Sequence, residues 1–172
     1  MKMSFLLLPI TLVASGLLAS TANAYETDIV VTADVDTTLG FMQADGTAIP
    51  KTLEMSYIPT TGLKDIIIRT KLYTNDTTKN FLMRLGSKPQ LANTVISSAP
   101  VVPLAVTFMG TALDPSKDLT IKPSDLTWDQ DGASQAQDLK ISQATQGKLK
   151  VAGRYSGTVN LIITQDASTP AQ

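Results

Sequence analysis

Few residues in this chain are of types that do chemistry, and their spacing points away from it. Asp129-Gln130-Asp131-Gly132 has the opening of a calcium loop, where alternating carboxylates and a glycine turn wrap a hard cation. The third ligand position is missing and Lys140 stands where the closing glutamate belongs, so the run reads as a plain turn. Trp128 beside it has a ring that could stack on a sugar, but a lone tryptophan next to a polar loop reads as a packed anchor. Asn75-Asp76-Thr77 spells a glycosylation acceptor and is likewise taken as a turn. No serine sits in an S-x-x-K spacing, and histidine is absent, which removes the usual general base, proton shuttle and transition-metal ligand together. The expectation is a protein with no catalytic residues, no metal and no cofactor.

Charge and cysteine content narrow the classes further. The formal net charge is −1, so there is no basic field to attract nucleic acid or anionic lipid. Lys64, Arg69, Lys71, Lys79, Arg84 and Lys88 fall on or near two strands expected to adjoin, and read as a solvated outer face. Cysteine is absent, so the fold must be held by burial and sheet pairing alone.

The elements that organise the chain begin with an address label. Lys2, the apolar stretch from Phe5 to Leu18 and the small-x-small Ala22-Asn23-Ala24 make residues 1–24 a signal peptide cleaved between Ala24 and Tyr25. The mature product then has 148 residues, enough for one domain with a real core. It begins with Y-E-T-D-I-V-V-T-A-D-V-D, in which Ile29, Val31, Ala33 and Val35 alternate with mostly acidic or hydroxyl neighbours. In an extended chain the four apolar side chains share one face. A half-apolar strand at a mature terminus is either the first strand of its own domain or a strand meant for a partner's sheet.

Downstream, alternation recurs at short intervals. Leu39, Phe41 and Met42 precede the Asp45-Gly46 turn, expected as type I′, and Leu53, Met55 and Tyr57 read as a half-buried strand. Ile66, Ile68 and Leu72 define the strongest strand, which Asn75-Asp76 should turn back into Phe81, Met83 and Leu85. Val102, Leu104, Val106 and Phe108 form another, with Pro103 expected at an edge or bulge. Leu139 and Ile141 mark a shorter strand, and Tyr155, Gly157, Val159, Leu161 and Ile163 one continuous final strand. Seven or eight strands at about ten-residue spacing, with no sustained helical period, give an all-β sandwich.

Five runs then carry a resemblance: D-I-V-V-T-A-D-V-D, Gln43 to Gly46, Tyr73 to Asp76, Pro89-Gln90-Leu91 and Gly153 to Val159. In this order, behind a signal peptide, they resemble the major pilin of the colonisation-factor-antigen fimbriae of the alternate chaperone–usher pathway. Thr37 departs from the proline of that family. The resemblance implies an incomplete immunoglobulin-like β-sandwich completed in trans by a donor strand. On that basis residues 25–36 are the donor extension (Ile29, Val31, Ala33, Val35), 37–165 the pilin domain and 166–172 a frayed tail. The acceptor groove is expected to include Tyr155, Gly157, Val159, Leu161 and Ile163. The implied partners are copies of itself, a periplasmic chaperone, an outer-membrane usher, a tip adhesin and a host receptor, with passage through the periplasm to a surface fimbria. The alternative is a free secreted binding module in which residues 25–36 are its own first strand.

Overall fold

The computed structural model describes residues 39–166. Residues 1–24, expected as a signal peptide, with Tyr25 after the expected cleavage at Ala24 and the four apolar residues Ile29, Val31, Ala33 and Val35, lie outside the described residues. Two antiparallel sheets carry the fold. The larger runs, in spatial order, β1 (Leu39–Gln43), β4 (Ile66–Thr74), β10 (Gln137–Gln143), β7 (Val102–Phe108), β6 (Gln90–Asn93) and β11 (Tyr155–Ser156), with β8 (Thr111–Ala112) paired to β7. The smaller is β12 (Leu161–Gln165), β5 (Phe81–Leu85) and β9 (Leu119–Ile121), and β2 (Tyr57–Ile58) with β3 (Gly62–Leu63) makes a separate hairpin.

Alternation dictates which faces meet. Ile68, Leu72, Val106, Phe108, Leu139 and Ile141 are buried from the larger sheet, and Phe81, Met83, Leu85 and Ile121 from the smaller. With Leu104 and Leu126, all of these but Ile68 form the core between the sheets, as a sandwich requires. Trp128 closes one part of that core, stacked on Phe81 at a centroid distance of 5.6 Å, with its indole N–H donating to the Pro123 carbonyl. The Asp129 carboxylate accepts the N–H groups of Asp131 and Ala133, so this loop is knitted by its own backbone.

Several elements differ from their sequence signals. Residues 53–56 form no strand, and pairing starts only at Tyr57. The Asp45-Gly46 turn has positive φ at Gly46 alone (84°), with Gly46 N–H donating to Gln43 O and Gln43 N–H to Thr47 O. That is a type I turn closed by a left-handed glycine, a three-residue hairpin rather than type I′. Asn75-Asp76 does not fold β4 back onto β5 but carries the chain across to the other sheet. The basic side chains of β4 and β5 therefore make no single face. Arg69 pairs with Asp138 at 3.1 Å, Arg84 with Asp118 at 3.4 Å and Lys79 with Asp76 at 3.1 Å.

Pro103 lies in β7, an interior strand, opposite Gln90. Its carbonyl accepts Ala144 N–H, just beyond the last β7–β10 pair at Gln143. A residue's N–H and C=O leave a strand on the same side, so its missing donor faces chain past the end of that ladder and no strand bond is lost. Leu139 and Ile141, read as a short strand, belong to the seven-residue β10, paired on both sides. The final strand is two. β11 pairs with β6 in the larger sheet and β12 with β5 in the smaller, so residues 157–160 cross between them. Gly157 makes the crossing possible, because a Cβ there would lie 2.0 Å from the Gln90 carbonyl oxygen.

A candidate subunit-interface groove

The two sheets leave one pair of edges apart. Among the described residues β12 is paired on one side only, to β5, and β1 is paired along its length to β4, its other side carrying only the Met42–Ala48 bridge. A cavity of about 580 Å³ lies between these edges. Leu39 and Phe41 of β1 form one wall, and Val159, Leu161 and Ile163 the other. Its floor is the inner face of the larger sheet: Ile66 and Ile68, Leu139 and Ile141, and Leu104. Phe41 is held against that floor by an edge-on contact with Phe108, centroids 6.0 Å apart. Residues 49–55, without regular structure, supply the rim through Ile49, Pro50, Lys51, Leu53 and Met55.

The wall is half-finished in physical terms. Leu161 and Ile163 are only part-buried although both face inward, and the backbone of β12 has a further side on which a strand can bond. The groove thus offers apolar side chains and main-chain hydrogen-bonding groups along one line, which is what an added β-strand uses. Among the described residues that line it, Lys51 alone has an ionisable side chain. Among the described residues no cluster of His, Cys, Asp and Glu could hold a metal.

Of the residues named from sequence as an acceptor wall, Gly157, Val159, Leu161 and Ile163 line this groove. Tyr155 does not: it pairs with Asn93, and its hydroxyl donates to the Val151 carbonyl at 2.8 Å. The strand change at 157–160 is what turns it away. Sequence reasoning missed the opposite wall, although Leu39 and Phe41 alternate, and it missed the rim, because residues 49–55 have no period to read.

The family model for the CS1 type fimbrial major subunit matches residues 25–164. The chain belongs to the CS1-type fimbrial major subunit family. This CS1-type pilin is 34% identical over 152 residues to a CFA/I fimbrial subunit of Escherichia coli O78:H11 (strain H10407 / ETEC), covering 85% of this chain and 88% of that relative. It is also 34% identical over 152 residues to a CS1 fimbrial subunit of Escherichia coli, covering 84% and 87%. Among solved structures it resembles the CooA pilin subunit from enterotoxigenic Escherichia coli, with a TM-score of 0.67 and 29% identity over 78% of this chain and 90% of that one. The fold is therefore the immunoglobulin-like sandwich of pilins. The CS1-type pilin is a structural protein of a surface fimbria, not an enzyme, and it assembles with copies of itself into a fibre. Family membership sets aside the free binding module.

Proposed function

We propose that the fibre is built by donor-strand exchange, with residues 25–36 of one copy seated in the groove between β1 and β12 of the next. The observation that carries this is the apolar groove flanked by two sheet edges, β12 with one side wholly unpaired and β1 with one side holding only the Met42–Ala48 bridge among the described residues. Ile29, Val31, Ala33 and Val35 present four apolar side chains at the strand period, as the groove requires. Burying them contributes roughly 1.5–3 kcal/mol each, less for Ala33, and a main-chain ladder adds to that. Strand and groove are different surfaces of one molecule, so the contact is head-to-tail and propagates instead of closing.

In this reading residues 1–24 direct export and are removed after Ala24, residues 37–165 are the pilin domain and 166–172 a tail. A copy in transit through the periplasm has an open apolar groove, so a chaperone covers it, an outer-membrane usher exchanges chaperone for donor segment, and an adhesin caps the tip. Removing residues 25–36 tests the reading. The shortened protein should fold with chaperone present and form no fibres in electron micrographs; fibres of normal length from it would refute the proposal.

A further inference from the structure

We infer that charge steers this assembly: Lys51, on the groove rim, meets the acidic outer face of the incoming copy's residues 25–36. The inference rests on the donor-strand reading and adds to it what selects and orients the segment. Residues 25–36 contain Glu26, Asp28, Asp34 and Asp36 and no basic residue, a net charge of −4. Residues 37–172 contain thirteen Lys and Arg against eleven Asp and Glu, a net of +2. A nearly neutral chain is thus divided into an acidic segment and a basic body, and a head-to-tail contact brings the two together.

The structure localises the positive side of this contact. Among the described residues lining the groove Lys51 is the one that is charged, and it is exposed. Among the described residues it has no ion pair, whereas Arg69, Lys79, Arg84 and Lys140 each hold a carboxylate. Glu54 stands on the same stretch but does not line the groove.

Orientation follows from the ladders. Every strand pair among the described residues is antiparallel. Among them β12 is the groove edge with one side wholly free, since β1 already carries the Met42–Ala48 bridge, so a segment added antiparallel to β12 runs opposite to it and along β1. Its C-terminal end then reaches the end of the groove where β12 begins, beside Gly157 and Val159. Gly157 packs on Gln90, whose strand partner Pro103 adjoins the last β7–β10 pair, so this is the Ile141–Ile66 end of the sheet. Residues 49–55 lie at the same end, since Pro50 and Leu53 line a second hollow with Ile66, Ile67 and Ile68. Asp34 and Asp36, on the outward face of the segment, therefore come toward Lys51, while Glu26 and Asp28 lie at the far end.

The test follows assembly of the mature full-length pilin by light scattering at about 0.01 M and about 0.1 M salt, between which the screening length falls from about 30 Å to about 10 Å. Wild type should assemble several-fold more slowly at the higher salt. Lys51→Glu should be about tenfold slower at low salt and lose most of its salt dependence. Asp34→Lys with Asp36→Lys should slow wild type and restore the Lys51→Glu pilin. Lys51 is exposed, so an unchanged melting temperature of the variant confirms that folding is intact. A Lys51→Glu pilin that assembles at the wild-type rate overturns the inference, as does rescue by Glu26→Lys with Asp28→Lys instead. Removal of residues 25–36 separates the two levels. If removal stops assembly and Lys51→Glu does nothing, charge steering alone fails; if the shortened protein still assembles, the donor-strand reading fails with it.

Discussion

Leu161→Ala is the substitution whose two consequences differ most between a free copy and a fibre. Leu161 is half-buried in the isolated fold, opposite Leu85 of β5, and its outer side faces the groove. Truncation to alanine removes three carbons, about 2.4 kcal/mol of burial at ~0.8 kcal/mol each. At most about a third of that residue is exposed in the free pilin, so folding should lose about 1.5 kcal/mol or more. The remainder, up to about 0.9 kcal/mol, falls on each junction and weakens it by up to about fourfold. Leu85→Ala is the control: that side chain is 2% exposed, so its loss of about 2–5 kcal/mol should fall on folding. Thermal melts of the dilute pilin give the first quantity, and denaturant concentrations that depolymerise preformed fibres give the second. Equal melting losses for both variants, with Leu161→Ala fibres as resistant as wild type, would refute the assignment of this wall to the junction.

Three further outcomes follow from the geometry. Gly157→Val should lower the pilin's stability to denaturant by more than about 2 kcal/mol, because its Cβ has no room beside the Gln90 carbonyl; a wild-type midpoint would contradict the crossing described. Trp128→Ala should cost about 3 kcal/mol in the same assay through lost stacking on Phe81, and an unchanged midpoint would show that the ring is not an anchor. The third concerns acid. Hydrogen bonds from the side chains of Thr47, Thr78 and Ser116, then from their backbone N–H groups, hold Asp45, Asp76 and Asp114 below the ordinary value of 3.8. A carboxyl lowered by folding adds stability that is complete above 3.8 and is lost as pH falls through the folded value. The melting temperature should thus hold from neutral pH down to about 5 and drop below about 4. An Asp76→Asn variant should show a shallower acid drop, and an identical pH profile would remove Asp76 from this account.

Much of the fold was legible because alternation is a local signal. Ile68 and Leu72, Phe81 to Leu85, and Val102 to Phe108 all bury the residues that the strand period selects. Which strands pair is not local. Nothing in Asn75-Asp76 distinguishes a hairpin from a crossing between sheets, and the crossing disperses basic residues that a hairpin would have gathered on one face. Tyr155 groups with Gly157 in sequence because five residues alternate without a break. The steric closeness of Gly157 to Gln90, which splits that run, exists only once β6 is in place. The rim at 49–55 has no period, so its part in the groove comes from position alone.

The central claim is that the groove takes residues 25–36 of another copy, and covalent self-completion tests it most directly. A second copy of residues 25–36 is joined through a flexible linker after Asp166, where β12 has ended, and the melting temperature and mass of the purified protein are measured. The account predicts a monomer that needs no chaperone and melts about 10 °C or more above the unextended pilin, as several kcal/mol would give in a domain of this size. An unchanged melting temperature, with fibres still forming, would contradict it.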